Sequence, residues 1–120
     1  MIMRDCENMT IYAAAEQIRI NKSHNIICHV FSQSDPTVEK CTNLVFAPYT
    51  LRYPGLSQQF QDAGLDVSED RWNQVFDFTH NPEAPNWRLM NPDEFTGIKE
   101  FPVIFFCKIE SLNILKGLLI

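Results

Sequence analysis

The sequence predicts an all-β fold, a parallel β-helix, from one repeated pattern. Three segments share it: CENMTIY from Cys6, SHNIICH from Ser23 and CTNLVFA from Cys41. In each, the third residue is asparagine and an apolar alternation follows, and the asparagines are 17 and then 18 residues apart. This period fits a coil of three strands of about six residues each, stacked about 4.8 Å apart. The alternative is chance recurrence of asparagine in an ordinary antiparallel sheet.

Stacking of the coils would bring equivalent residues of each repeat above one another. Two inward-facing columns are expected, Met9 with Ile26 and Leu44, and Ile11 with Cys28 and Phe46. A corner column is expected for Asn8, Asn25 and Asn43. Asparagine suits a corner because it tolerates left-handed dihedrals, and because its amide can hydrogen-bond to the next coil.

The segment QIRIN, between the first two repeats, alternates polar and apolar residues. If Ile18 and Ile20 point into the coil, the period of two along a strand places Gln17, Arg19 and Asn21 outside. An arginine would then stand in the middle of an exposed strand face.

One coil later, the same period places Thr37 beside Arg19. It places Glu39 beside Asn21, and therefore diagonal to Arg19 at roughly 8 Å between Cα atoms. Two long side chains can meet across that distance. The face is therefore expected to carry a glutamine, an arginine and a glutamate together.

Residues 54–63, beyond the coils, predict one short helix. Pro54 suits a first helical position, Leu56 and Phe60 lie four residues apart on one face, and Gly64 suits the residue after the helix.

A second helix is predicted to begin at Ser68, which suits an N-cap and is followed by two acidic residues. Its burying face would consist of Trp72, Val75 and Phe76. These aromatic side chains are expected to close one end of the β-helix rather than to stack on a ligand.

The last third of the chain predicts an extended segment and a separate tail. Residues 80–95 are rich in proline and asparagine, and Trp87 and Leu89 are expected to hold them on the surface. Residues 1–96 would form the domain. Residues 97–120 would form a tail with a strand and a helix from about Lys108 to Leu118. The tail, or the segment after residue 53, would cover two outward apolar residues, Ile27 and Val45.

Composition excludes several functional classes. The chain of 120 residues has a formal charge of −5, which argues against nucleic-acid binding because phosphates require a concentrated positive field. Lysine and glutamate residues interrupt the apolar tail before it reaches the roughly 18 residues of a membrane span, so no direct membrane anchor is expected. Four cysteines without C-x-x-C spacing and three dispersed histidines predict reduced thiols and no metal site.

Arg19 is the remaining candidate for chemistry, against the alternative of an ordinary solvated charge. An arginine presented from a rigid surface can complete another protein's GTPase site by neutralising charge that develops on the phosphates. Arginine suits that role because its planar fork of donors stays charged and matches phosphate oxygens.

Several separated motifs resemble the tubulin-binding cofactor C domain, most closely the retinitis pigmentosa protein type found with cilia and Arf-like GTPases. They are DCENMTIYAAAEQIRI, DPTVEKCTNLVFAPY, YPGLSQQFQDAGLDVSEDRWNQVFDF and PNW, and the similarity runs from about Asp5 to Trp87. The resemblance implies a right-handed parallel β-helix. It also implies activation of GTP hydrolysis by an Arf-like GTPase or by tubulin, with GTP and Mg bound by the partner and no cofactor of its own.

The same resemblance implies roles for particular residues. The Gln-x-Arg signature of the family falls on Gln17 and Arg19, with Arg19 as the arginine finger and Gln17 orienting it. The supporting acidic residue falls on Glu39. The chain departs from the family at Ala15-Glu16, where Cys-Gln is usual, and at Asn21, where a basic residue is frequent. With Thr37, Glu16 and Asn21 complete the predicted partner-binding surface.

Two other functions stay open at this point. The chain could bind the GTP-bound partner or tubulin without activating hydrolysis, as an adaptor or folding cofactor, and Glu16 favours this alternative. It could also be an incomplete β-helix without a competent function, because relatives carry further coils before Arg4. An open β-helix end would then favour self-association or capping by the tail. The cytosol is the expected compartment, with cilium, basal body or cytoskeleton implied by the resemblance.

Overall fold

The computed structural model describes residues 1–95 and two short strands, Lys99–Glu100 and Leu118–Leu119. Strands dominate, in agreement with the predicted all-β class. The strands before residue 95 are β1 (Ile2–Arg4), β2 (Glu7–Ala15), β3 (Arg19–Asn21), β4 (His24–Ser32), β5 (Thr37–Glu39), β6 (Thr42–Pro48), β7 (Leu51–Arg52), β8 (Phe76–Asp77) and β9 (Trp87–Leu89). The remaining elements are helix α1 (Leu56–Asp62), a 3-10 turn (Pro92–Glu94), β10 (Lys99–Glu100) and β11 (Leu118–Leu119).

The chain alternates between two sheets. One sheet has the order β1-β3-β5-β8, and the other has the order β11-β2-β4-β6-β9. All pairs are parallel except β11 with β2, which is antiparallel. One strand from each sheet makes up a coil, so β1–β2, β3–β4, β5–β6 and β8–β9 are four successive coils. A third, two-stranded pairing joins β10 to β7 in parallel.

The strand register confirms the columns that the repeat predicts. Met9 pairs with Ile26 and Leu44, and Ile11 pairs with Cys28 and Phe46. Five of these six side chains are at most 1% exposed, and Met9 packs against them from the first coil. The interior between the sheets is therefore a continuous apolar core, which provides the main favourable term for folding.

The asparagine ladder is also present. Asn25 Nδ2 donates to Asn8 Oδ1 at 2.6 Å, and Asn43 Nδ2 donates to Asn25 Oδ1 at 2.7 Å. The three residues have φ values of 55°, 61° and 52°, the left-handed region that asparagine tolerates better than most residues. The ladder therefore joins the first three coils and sets the same corner in each.

Helix α1 confirms the first predicted helix, although it begins two residues after Pro54 and follows Gly55 in the left-handed conformation. The prediction of a second helix from Ser68 is wrong. Residues 68–75 form an irregular loop with turns at Ser68 and at Trp72–Asn73, and Phe76 lies in β8. The Asp70 carboxylate accepts from the backbone N–H groups of Ser32 at 3.2 Å and Trp72 at 3.1 Å, so it anchors a loop to β4 instead of a first helical turn.

Trp87 and Leu89 hold the extended segment as predicted, through pairing of β9 with β6. The ring of Trp87 meets that of Phe46 edge-on at 6.3 Å. The predicted tail helix lies outside the described residues, apart from Leu118, which is in β11. Of the two outward apolar residues, Val45 is 8% exposed and Ile27 is 38% exposed.

Replacement of Asn25 by alanine is expected to destabilise the fold by about 2–4 kcal/mol. The change removes two amide hydrogen bonds, each contributing about 0.5–1.5 kcal/mol, and forces alanine into a left-handed conformation that costs about 1 kcal/mol. Urea unfolding followed by circular dichroism measures the loss. Asn25→Gly should lose about 1 kcal/mol less than Asn25→Ala, since glycine accepts the dihedral and lacks only the hydrogen bonds. Equal stability of all three proteins would refute the ladder's role.

Glu94 is expected to titrate with a pKa of about 2. The hydrogen bonds from Arg88 and from the backbone N–H of Asn91 lower its pKa, because both favour the carboxylate. Since the folded pKa lies below the unfolded one, this contact stabilises the segment above about pH 4.5 and is lost as pH falls toward 2. Carbon-13 NMR of the carboxyl group measures this, and Arg88→Gln should move the pKa back up. An ordinary pKa in the unsubstituted protein would contradict the contact.

Candidate functional site

The face around Arg19 is built on the central strand pair of the four-stranded sheet. Strand β3 lies between β1 and β5, with Arg19 beside Ile2 on one side and Thr37 on the other. The Arg19 N–H donates to the Met1 carbonyl at 2.9 Å, and the Thr37 N–H donates to the Ile18 carbonyl at 3.0 Å. The backbone that carries the arginine is therefore fixed from both neighbouring coils.

Alternation along the chain sets the direction of each side chain. Ile18 and Ile20 are 0% exposed, and both belong to the core between the sheets. Gln17 and Arg19 are exposed. This is the arrangement that the QIRIN pattern predicts, and it presents the arginine to solvent from a strand whose alternate residues are anchored inside.

The turn before β3 fixes the backbone of Gln17 and Glu16. The Gln17 carbonyl accepts from the terminal ammonium of Met1 at 2.6 Å, and partial burial, with the charge of Arg19, lowers the pKa of that ammonium. The Glu16 carbonyl accepts from the N–H of Ser34 at 3.0 Å and from its hydroxyl at 2.9 Å. The side chains of Glu16 and Gln17 stay exposed.

Three of the predicted partner-binding residues, Thr37, Asn21 and Glu39, lie on the strand pair that carries Arg19. Asn21 pairs with Glu39, so Glu39 occupies the predicted position diagonal to Arg19. Thr37, Asn21 and Glu39 are each half-buried. Within residues 1–95, neither observed ion pair involves Arg19 or Glu39; the pairs are Arg71–Asp35 and Arg88–Glu94. The structure therefore brings Arg19, Thr37, Asn21 and Glu39 together on neighbouring strands, with Glu16 and Gln17 exposed in the turn before β3. Within residues 1–95, no ion pair locks the arginine to the glutamate.

An aromatic pair that the sequence analysis did not assign to the site adjoins this face. Phe76 lies beside Thr37 in β8, and the Phe78 N–H donates to the Val38 carbonyl at 2.9 Å. The two rings meet edge-on at 4.9 Å and are 53% and 65% exposed. The sequence signal for this exposed pair is the alternation in Phe76-Asp77-Phe78. Asp77 points inward, where it is buried and accepts from Asn86 Nδ2 at 2.9 Å, so the two flanking phenylalanines point outward.

A separate groove of about 720 Å³ lies between α1 and the ends of β4 and β6. Its apolar lining includes Phe31, Phe60 and Leu65, and Arg52 and Asp66 are also part of its wall. None of the predicted site residues lines it. No group of three or more His, Cys, Asp or Glu side chains in the described ranges could hold a metal ion. No helix in those ranges is long and apolar enough to cross a membrane.

A family model described as tubulin binding cofactor C matches residues 1–78. The chain belongs to the tubulin-binding cofactor C family. The match includes β1 to β8 and therefore the whole Arg19 face. It confirms the resemblance that the separated motifs indicated.

Individual members of the tubulin-binding cofactor C family show how far the similarity extends. Tubulin-specific chaperone C of Mus musculus is 35% identical over 97 residues, which is 78% of this chain and 28% of that protein. Protein XRP2 of Xenopus laevis is 30% identical over 80 residues, 67% of this chain and 23% of that protein. The chain thus spans about a quarter of the length of these relatives.

A solved structure of tubulin binding cofactor C from Leishmania major superposes with a TM-score of 0.68. The superposition covers 87% of this chain and 75% of that one, at 20% sequence identity. This likeness concerns the fold alone. It agrees with the all-β architecture of the cofactor C domain described above.

Replacement of Arg19 by alanine is expected to change the free energy of unfolding by less than about 0.5 kcal/mol, because the side chain is exposed and forms no ion pair within residues 1–95. Ile20→Ala, one residue away, should cost about 2–5 kcal/mol because its side chain is fully buried. Chemical denaturation distinguishes the two. A large loss for Arg19→Ala would show that the arginine has a structural role.

Proposed function

We propose that this chain stimulates GTP hydrolysis by an Arf-like small GTPase or by tubulin, and that Arg19 enters the partner's nucleotide site. One observation carries the proposal. An arginine projects to solvent from a strand that is hydrogen-bonded on both sides and anchored by buried isoleucines. A rigid mount matters because catalysis by a positioned charge depends on preorganisation, and motion of the guanidinium would weaken it.

The chemistry requires only a cation that matches phosphate oxygens. GTP and Mg would be bound by the partner, and the chain itself would use no cofactor. The guanidinium of Arg19 would neutralise charge on the transferred phosphoryl group as its bond to the leaving oxygen lengthens. Gln17, exposed two residues earlier, would orient the finger or the partner's phosphate-binding loop.

The remaining residues of the face would bind the partner. Glu39 has no ion pair among residues 1–95, so it would be available to a basic group of the partner as well as to Arg19 in the complex. Thr37, Asn21 and Glu16 would contribute polar contacts. Phe76 and Phe78 would supply apolar area at the edge of this face, where aromatic side chains commonly carry a large share of binding energy.

A second function is proposed beside the first, that of a binding module or tubulin-folding cofactor that does not accelerate hydrolysis. Glu16 favours it, because its exposed carboxylate stands beside Gln17 and would repel phosphates. The names of the tubulin-specific chaperone C relatives favour tubulin as the partner in this case. The two functions would use the same docking surface and would differ in the rate of hydrolysis, which the carboxylate of Glu16 would lower.

The broader setting follows from the family. We infer that the parallel sheets are the walls of a right-handed parallel β-helix. We also infer that the protein acts in the cytoplasm, at the cilium, the basal body or the cytoskeleton. Strand β1 pairs only with β3 among the described strands, so its outer edge is a candidate for self-association.

Single-turnover hydrolysis tests the proposed function. GTP-loaded Arf-like proteins and GTP-tubulin should hydrolyse faster in the presence of the chain, by a factor of up to about 10³–10⁵. Arg19→Ala should abolish the stimulation, and Arg19→Lys should restore little because a lysine lacks the planar fork. Arg52→Ala, an exposed arginine on β7 outside the face, is the matched control and should retain full stimulation.

Binding to both nucleotide states separates the two proposed functions. Tight binding to the GTP state without any stimulation would select the binding module and contradict activation. Glu16→Gln should then raise the rate if the extra carboxylate is what suppresses hydrolysis. Absence of binding to every Arf-like protein and to tubulin would contradict both functions.

A further inference from the structure

Lys22 and Lys40 occupy equivalent corners of successive coils. Each follows the last residue of a strand of the Arg19 face, Lys22 after Asn21 and Lys40 after Glu39. The Lys22 N–H donates to the Glu39 carbonyl at 2.9 Å, and the Lys40 N–H donates to the Thr79 hydroxyl at 2.8 Å. Both side chains are exposed. The two lysines, called the lysine corner below, therefore border the face on one side.

The backbone at the lysine corner is unfavourable for lysine. Lys22 and Lys40 have φ values of 48° and 55°. The other four non-glycine residues with positive φ within the described ranges are Asp5, Asn8, Asn25 and Asn43. Aspartate and asparagine adopt this conformation more readily than lysine, so either residue would serve both corners at a lower conformational cost.

The charges at the lysine corner add a second cost. Residues at equivalent positions of adjacent parallel strands lie about 4.8 Å apart, and like charges at such positions repel. Asp5 follows Arg4, the register partner of Asn21, so it occupies the position in the preceding coil that is equivalent to Lys22. Glu39 precedes Lys40, yet neither ammonium forms an ion pair within residues 1–95. Fold stability therefore explains neither lysine.

The lysine corner also reverses the local charge of an acidic chain. The chain carries a formal charge of −5. The strands β1, β3 and β5 and the corners that follow them hold four cations, Arg4, Arg19, Lys22 and Lys40, against two carboxylates, Asp5 and Glu39. Glu16, exposed in the turn before β3, adds a third carboxylate, so the excess of positive charge is one. A local positive field beside Arg19 attracts an acidic surface, and such a field acts mainly on the rate of association.

We propose that the lysine corner docks an acidic protein surface next to the nucleotide site of the partner that Arg19 enters. The inference rests on the proposed function, since it takes the same partner and the same face. It adds that the partner's surface beside its nucleotide is acidic, and that the two lysines steer the encounter while Arg19 acts after docking.

Lys22→Asn with Lys40→Asn tests this assignment, because asparagine keeps the corner and removes the charge. The melting temperature of the double variant should be about 2–4 °C higher than that of the unsubstituted protein, because asparagine relieves the left-handed strain. Its stopped-flow association rate with a GTP-loaded Arf-like protein or GTP-tubulin should fall about three- to tenfold in low salt and depend less on ionic strength. Hydrolysis in the saturated complex should keep the unsubstituted rate.

Two controls keep the outcomes distinct. Lys22→Arg with Lys40→Arg retains charge and should associate at the unsubstituted rate, and Arg52→Gln removes one cation elsewhere and should change association less than Lys22→Asn alone. The docking role of the lysine corner would be overturned if the double asparagine variant associated at the unsubstituted rate, or if Arg52→Gln lowered the association rate as much as Lys22→Asn does. If the unsubstituted protein associates with the partner but does not stimulate GTP hydrolysis, activation is refuted. The association rates of the lysine variants would then still decide whether the lysine corner docks the partner. Absence of any complex would overturn both.

Discussion

The parallel register between successive coils is the constraint on which the rest of the structure depends. Because the first three coils follow one another at steps of 17 and 18 residues, each inward residue lands on an equivalent one, as Ile20 does on Val38. The asparagine ladder repeats the same corner and prevents a slip of one residue. Such a slip would turn every core side chain of a strand to solvent and every exposed one inward.

That register also creates the candidate site without any dedicated loop. The extended segment that buries Ile18 and Ile20 must expose Gln17 and Arg19, so core packing and presentation of the arginine are two results of one alternation. Hydrogen bonds from both flanking coils limit motion of the backbone. A flat, stiff wall of this kind suits insertion of a charge into another protein's site better than a mobile loop does, because less order must be imposed on binding.

The local sequence pattern was sufficient to predict the contacts that the repeat period sets. It was insufficient where residues distant in the sequence determine the structure. The columns, the ladder and the outward direction of Arg19 follow from spacing and alternation. The second helix was wrong because its signals were local: Asp70 looked like a first-turn acid, whereas its carboxylate binds the backbone of Ser32. Phe76 looked like part of a helical face, whereas pairing with Thr37, 39 residues earlier, makes it a strand residue. Sequence reasoning therefore missed the exposed aromatic pair at the edge of the site.

The most direct measurement of the central claim is a structure of the complex with a GDP-bound partner in the presence of aluminium fluoride, which mimics the transferred phosphoryl group. The account predicts that the complex forms more tightly with fluoride than without it. The Arg19 guanidinium should lie within hydrogen-bond distance of the fluoride ligands, and β1, β3 and β5 should keep their register. A partner seated on the groove beside α1, or a guanidinium folded back onto Glu39 and away from the nucleotide, would contradict the account.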